Sequence, residues 1–332
     1  MRLAVQSWGV SEAVAQCATT DPEKPPVRDK RVFVCGKVGA PLEGSEHPKN
    51  SRMADNIPFK LAGVMGMPIY QSRSPIIHNH WIKAHGVNGA YGHFPVQPDR
   101  VAAAVLGLRA LGIAGCNITL PHKLAAMPLM DTLTPMAKRM GAINCIVVGE
   151  DGHLTGHNND GFGYIQSLRD EDPLWRADAG PIVVLGAGGA ARAVVIALIE
   201  AGATTIRLLN RTRGTAEKLA EGLTPTVEVC DWGQRHEALR GAAMLINATS
   251  QGMYGQPPLD IMLDTLPTDA WVSDLIYIPL ETPLLAAARA RGNRTVNGLG
   301  MLINQAIPAF EAWFGVRPQS SPELREKLLA SF

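Results

Sequence analysis

Two side chains suited to proton transfer stand at the ends of polar motifs. Lys123 closes Gly115-Cys116-Asn117-Ile118-Thr119-Leu120-Pro121-His122-Lys123, and Asp160 closes Gly156-His157-Asn158-Asn159-Asp160. An amine held by a carboxylate can accept a proton from a substrate hydroxyl, or return one to a carbonyl oxygen. Each residue also has an ordinary explanation, Lys123 as a snorkelling surface lysine and Asp160 as a helix cap. Their neighbours bear on the choice. Asn117 and Thr119 lie two apart on an expected strand and so face one side, with Pro121 starting a helix that carries Lys123 in its first turn. A cation there opposes the helix dipole, which suggests a purpose other than stability. Asn144 falls within the apolar strand Ala142-Ile143-Asn144-Cys145-Ile146-Val147. A buried amide needs partners, either a substrate hydroxyl or a structural hydrogen bond.

A second constellation begins at Pro181. The strand Ile182-Val183-Val184-Leu185 runs into Gly186-Ala187-Gly188-Gly189-Ala190-Ala191 and then a helix from about Ala190 to Ala201. The spacing follows G-x-G-x-x-G except that Ala191 takes the last position, and small residues here let a pyrophosphate approach the backbone and the positive end of the helix. A tight turn without a ligand is the alternative. An acid at the end of the next strand would bind a ribose 2′-hydroxyl and repel a 2′-phosphate. Instead, Ile206-Arg207-Leu208-Leu209 ends in Asn210-Arg211-Thr212-Arg213, which favours NADP over NAD. A solvated arginine loop is the competing explanation. With a nicotinamide to carry hydride and a lysine to carry the proton, the expected chemistry interconverts a carbonyl and an alcohol.

The elements that must position these groups follow from periodicity. Apolar stretches at 61–66, 90–96, 115–120 and 143–148 alternate with helical segments, and Ser74-Pro75 reads as an N-cap and first-turn pair before Ile76, Ile77, Trp81 and Ala84. Beyond the glycine turn, strand-like segments at 204–209, 227–230, 243–248 and 271–276 supply a doubly wound sheet. The fold class is therefore α/β, with two α/β domains. Residues 1–59, which include Asp21-Pro22-Glu23-Lys24-Pro25-Pro26, read as a poorly ordered N-terminal extension, with Met53 a candidate natural start. A signal peptide fits poorly because Gln6, Ser7 and Glu12 break the apolar segment after Arg2.

The bulk properties narrow the partners. A length of 332 residues suits two domains, and 46% hydrophobic with 18% charged residues suits buried cores. No apolar run is long enough for a membrane-spanning helix. The formal net charge of +1 provides no field for nucleic acid or anionic lipid, so a small-molecule substrate is expected. Cys17, Cys35, Cys116, Cys145 and Cys230 are widely spaced and odd in number, which disfavours disulfides or zinc and fits a cytoplasmic setting. His78 and His80 are two apart on a helix and share no face, and His157 has no second ligand nearby, so no metal is expected.

Taken in order, Ser72-Arg73-Ser74-Pro75, Asn117 to Lys123, Gly141 to Asn144, Asn158 to Asp160, the glycine turn, Asn210 to Thr212, Asn247 to Met253, and Gly298 to Leu302 followed by Gln305 resemble the shikimate dehydrogenase family. The resemblance covers about residues 60–332. It implies a substrate-binding domain over 60–162 plus 296–332 and a Rossmann-type NADP-binding domain over 163–295. It further implies that Ser72, Ser74, Asn117, Thr119, Asn144, Tyr277 and Gln305 bind substrate, with Lys123 and Asp160 the catalytic pair, which also contacts it. Gly186, Ala187, Gly188, Gly189, Ala190, Asn210, Arg211, Thr212, Arg213, Thr249, Leu275 and Gly298 would line the cofactor.

The implied reaction is NADPH-dependent reduction of 3-dehydroshikimate to shikimate in chorismate biosynthesis, by a monomer or homodimer. The alternatives are a quinate/shikimate dehydrogenase of broader specificity and a non-catalytic NADP-binding relative. A methylenetetrahydrofolate dehydrogenase fits the paired serines and the Gly298 to Leu302 segment less well. Three positions depart from the family pattern: His157 where Asp is usual, Asn159 where Thr is usual, and Thr215 where an arginine often stands. Arg213 is the expected substitute for that arginine.

Overall fold

The computed structural model describes residues 58–332. The extension expected over 1–59, and the reading of Met53 as the start, lie outside the described residues except for Pro58 and Phe59, which precede the first strand.

The N-terminal half builds β1 (Lys60–Gly66), α1 (Ser74–Ala84), β2 (Gly89–Pro95), α2 (Val101–Ala110), β3 (Gly115–Ile118), β4 (Thr132–Leu133), α3 (Pro135–Met140), β5 (Cys145–Val148) and β6 (Leu154–His157). These strands form a six-stranded mixed sheet in the order β2-β1-β3-β5-β6-β4. Strand β1 pairs in parallel with β2 and β3, whereas β5 is antiparallel to both β3 and β6. One face packs on Val105, Leu108, Ile143 and Leu154, and the other on Trp81, Phe310 and Trp313.

After α4 (Asp160–Glu171), the chain continues through β7 (Ile182–Leu185), α5 (Gly189–Glu200), β8 (Ile206–Leu209), α6 (Arg213–Ala220), β9 (Val227–Cys230), β10 (Met244–Asn247), β11 (Trp271–Asp274), α7 (Pro283–Ala290) and β12 (Arg294–Val296). This second sheet is parallel throughout, in the order β12-β11-β10-β7-β8-β9. Renumbered within the lobe the order is 3-2-1-4-5-6, whose crevice opens between the first and fourth strands, here β7 and β10. Every residue of both strands is buried, which is why they read as apolar runs rather than as alternation. The chain returns to the first lobe as α8 (Leu299–Asn304), α9 (Ala306–Phe314) and α10 (Pro322–Leu329), and Phe310 and Trp313 of α9 complete its core.

The lobes join through α4, which packs on both α5 and α8. Gly163 makes this possible, since a Cβ there would stand 2.7 Å from the Gln305 amide nitrogen and 2.8 Å from the Met301 carbonyl oxygen. Arg192 of α5 fastens the other side, donating from Nε to the Met140 carbonyl at 2.8 Å.

Several local expectations change. No helix follows Pro121; residues 120–126 form turns leading into a short 3-10 segment at Met127–Leu129. Pro128, seven residues after Pro121, would break a helix begun there, so the dipole argument for Lys123 falls. Ser74 is the first residue of α1 and not its cap: the preceding residue is Arg73, and no side chain caps the helix. Asp160 likewise opens α4 without capping it. Asn144 lies just before β5 and not within the strand, and His157 ends β6. Strands β4 and β12 also escaped notice, being two and three residues long. Among the described residues no helix is long and apolar enough to cross a membrane.

Candidate active site

A cavity of about 500 Å³ opens between the lobes. Ser72, Ser74, Asn117, Thr119, Lys123, Asn144, Asp160, Tyr277 and Gln305 all line it, as do Ala190, Leu275 and Gly298. Lys123 Nζ donates to Asp160 Oδ2 at 2.7 Å, with the two side chains 28% and 14% exposed. That partial exposure leaves the pair reachable by a substrate while removing it from bulk water.

Asp160 is held twice over. Its Oδ1 accepts from Asn144 Nδ2 at 2.8 Å, and its backbone N–H donates to Asn158 Oδ1 at 3.1 Å. Asn144 is the hub of the site. Its Nδ2 also reaches Gln305 Oε1 at 3.3 Å, its Oδ1 accepts from the Asn159 backbone at 2.9 Å, and its backbone N–H donates to the His157 carbonyl at 2.9 Å. In the last two bonds His157 and Asn159 contribute through backbone groups, which survive a change of side chain. Burial lowers the pKa of the His157 imidazole, favouring its neutral form.

Beside Asn144, Asn117 is fixed in orientation. Its Oδ1 accepts from Tyr91 Oη at 2.6 Å and its Nδ2 donates to the Asn144 carbonyl at 3.2 Å, which leaves one amide proton for a ligand. Ser72 Oγ donates to Ser74 Oγ at 3.3 Å, so the two hydroxyls sit together instead of capping α1. Tyr277 is largely buried, which raises its pKa, while Arg73 pulls in the other direction. Arg73, Met301 and Leu302 line the same cavity and were missed by sequence reasoning. Arg73 was within reach, since it stands between the two serines.

A second cavity of about 260 Å³ is lined by Gly186, Ala187, Gly188, Asn210, Arg211, Trp232, Ala248, Thr249, Ser250 and Gln251. It lies at the crevice expected from the strand order. Gly186 needs its glycine, with φ +106° and the Ala248 carbonyl oxygen 2.9 Å from where a Cβ would stand. Gly188 and Gly189 face open space, and Gly188 precedes α5 with no side chain capping the helix. Small residues, unpaired N–H groups and a helix N-terminus form a cradle that fits the pyrophosphate of a dinucleotide. Arg211 has no hydrogen-bond or ion-pair partner among the described residues, as suits a group awaiting phosphate.

Arg213 is placed differently. It is engaged by Asp231 at 2.5 Å and Glu217 at 2.8 Å and lies outside this cavity, as does Thr212, whose carbonyl accepts from Asn210. The expected substitution of Arg213 for the absent arginine is therefore not seen: two carboxylates, one from β9's end and one from α6, compete for its guanidinium. Asp231 lies some eighteen residues away in sequence, which hid this pairing. His78, fully buried, stacks on Tyr91 with ring centroids 4.1 Å apart, whereas His80 lies toward the surface against Lys327.

Comparison with known proteins extends this picture. Residues 64–146 match the shikimate dehydrogenase substrate binding domain, residues 174–254 the shikimate / quinate 5-dehydrogenase family, and residues 298–321 the shikimate 5′-dehydrogenase C-terminal domain. A shikimate dehydrogenase (NADP(+)) of Paramagnetospirillum magneticum is 51% identical over 271 residues, covering 82% of this chain and 98% of the relative. One from Rhodospirillum rubrum is 51% identical over 274 residues, covering 81% and 97%. Among solved structures, a quinate dehydrogenase of Corynebacterium glutamicum in complex with NAD matches with a TM-score of 0.77 at 31% identity, covering 82% of this chain and 100% of that one. A shikimate 5-dehydrogenase of Thermus thermophilus in complex with NADP(H) and shikimate has a TM-score of 0.73 at 32% identity, over 82% and 100%. Half identity across nearly the whole length of such relatives goes beyond a shared fold, and the chain belongs to the shikimate dehydrogenase family of oxidoreductases.

Proposed function

We propose that this protein catalyses the reversible, NADPH-dependent reduction of 3-dehydroshikimate to shikimate, a step of chorismate biosynthesis. The observation that carries the reading is the Lys123–Asp160 pair, 2.7 Å apart on the wall of a cavity otherwise lined by hydroxyl and amide groups. Such a lining suits a small, polyhydroxylated ring better than an apolar ligand. A binding protein that had lost catalysis would have no use for this pair.

When bound, the nicotinamide supplies or accepts the hydride. Gly186 to Ala190 would hold its pyrophosphate, Arg211 and Asn210 the 2′-phosphate, and Thr249, Leu275 and Gly298 the remainder, while Ser72, Ser74, Asn117, Thr119, Tyr277 and Gln305 bind and orient the substrate. In the oxidising direction Lys123 Nζ takes the proton of the reacting hydroxyl, and in the reducing direction it returns one to the carbonyl oxygen. Asp160 holds Nζ in place and contacts the same hydroxyl. Asn144 and the Asn158 carboxamide keep Asp160 from turning away.

Following reduction of NADP+ and NAD+ in parallel, with shikimate and quinate each offered, tests the reading. The expected result is fastest turnover with shikimate and NADP+. Faster turnover of quinate would move the protein to the broader-specificity reading that the likeness to a quinate dehydrogenase favours. No reduction in any combination would overturn the dehydrogenase assignment.

A further inference from the structure

We propose that Asp274 is a positioning residue for hydride transfer: bonded to Asn247 on one side and to the Ile276 backbone on the other, it sets the wall of the nucleotide crevice against the wall of the substrate cavity. This rests on the dehydrogenase reading above. Asp274 and Asn247 are register partners at the ends of β11 and β10, and both are 0% exposed. Neither lines the two cavities described above, but the chain just beyond each of them does. Thr249, Ser250 and Gln251 line the smaller cavity, and Leu275 and Tyr277 the larger.

Asn247 spends most of its carboxamide on its own turn. Its Oδ1 accepts from the Thr249 backbone at 3.0 Å and from Thr249 Oγ1 at 2.7 Å, and its Nδ2 donates to the Gln251 carbonyl at 3.0 Å. The second amide proton goes to Asp274 Oδ1 at 3.1 Å, which also accepts from the Ile276 N–H at 3.1 Å. One carboxylate oxygen thus holds both turns. The Ile276 carbonyl extends the tie by accepting from the Gly298 N–H at 2.9 Å, and Gly298 lines the larger cavity. The other oxygen, Oδ2, accepts from Thr282 Oγ1 at 2.7 Å, and Thr282 caps α7. No cation bonds to Asp274 among the described residues, and burial pushes its carboxyl pKa up. A buried acceptor without a counter-charge is a costly way to join two strand ends, and what it joins here are the turns that face the two cavities. Hydride transfer depends steeply on how the reacting carbons are set against one another. With the cofactor on one wall and the substrate on the other, the relation between the walls governs that geometry.

The test titrates shikimate into the free enzyme and into enzyme saturated with NADPH, a pair that cannot react. It also follows a single turnover of shikimate with NADP+, in which the carbinol carbon gives its hydride to NADP+ and the hydroxyl proton goes to Lys123. Wild type, Asp274→Ala, Asp274→Asn and Thr282→Val are compared. Asp274→Ala is expected to bind shikimate alone within about three-fold of wild type, to lose about ten-fold in affinity once NADPH is present, and to transfer hydride about 10- to 100-fold more slowly. Asp274→Asn keeps an acceptor for Asn247 and Ile276 and should recover most of both losses. Thr282→Val should shift the same readouts by less, and it carries the test if Asp274→Ala does not fold. An equal loss of affinity with and without NADPH, behaviour unchanged from wild type, or Asp274→Asn as impaired as Asp274→Ala overturns the proposal. A wild type that transfers no hydride overturns the dehydrogenase reading first.

Discussion

Asp160 uses its two carboxylate oxygens for two different partners: Oδ2 accepts from Lys123 at 2.7 Å and Oδ1 from Asn144 at 2.8 Å. The lysine is thereby aimed by a carboxylate that is itself aimed by a carboxamide. Asn144 is only 4% exposed and Asp160 opens the helix on which the two lobes join, so the pair is anchored where the lobes meet.

Replacing Lys123 by Ala should therefore lower kcat by about two to four orders of magnitude while changing KM for substrate little, because the residue acts on the proton and many other groups bind the ring. Steady-state rates in both directions check this. Near-normal turnover would remove Lys123 from its role.

The two arginines after β8 should behave differently. Arg211→Ala is expected to reduce the preference for NADP+ over NAD+ about ten-fold or more, as a charge-assisted phosphate contact is lost. Arg213→Ala should leave that preference nearly untouched, because its guanidinium is engaged by Asp231 and Glu217. Ratios of kcat/KM for the two cofactors decide the matter, and an equal effect of both variants would return Arg213 to the cofactor site.

Gly188 offers a test that separates folding from binding. Its φ of −80° suits any residue and its missing Cβ would meet nothing within 4 Å, so Gly188→Val should fold with stability changed by less than about 1 kcal/mol. The added side chain would enter the space in front of α5, raising cofactor KM by about ten-fold or more. A thermal melt with unchanged Tm, together with cofactor titration, measures both arms. Unimpaired cofactor binding would move the pyrophosphate elsewhere.

His78 predicts an acid sensitivity. Burial pushes its pKa down from 6.5 to about 3, so the unfolded chain binds a proton that the native chain excludes. For a group depressed on folding, stability is fully present above pH 6.5 and is lost as pH falls toward 3. The whole effect is at most about 5 kcal/mol, of which roughly half has gone by about pH 4.5. The ring stacks on Tyr91, so His78→Phe should keep the packing and flatten this dependence. Urea midpoints between pH 7.5 and 4.5 provide the comparison, and an unchanged slope in the variant would assign the acid loss to other groups.

By itself the sequence determined the elements and the chemistry they carry. A four-residue apolar run such as β7, bounded by Pro181 and the glycine turn, reads as a strand buried on both faces, and that turn marks the crevice at the sheet's switch point, because these signals depend on neighbours along the chain. The proline after Leu120 was misread as starting a helix because the same residue also suits turns, and only the chain's path to Pro128 distinguishes the two. Short pairings such as β4 and β12 leave no period to detect. Tertiary structure alone decided which groups meet: Lys123 with Asp160, Asn144 with Gln305 across 161 residues, Arg213 with Asp231, and Arg73 with Ser331 across 258. Periodicity records which face of an element is apolar, but side-chain contacts between elements depend on how two sheets and the helices joining them pack. That packing brought Arg73 to the Ser331 carbonyl and engaged Arg213 with Asp231 and Glu217.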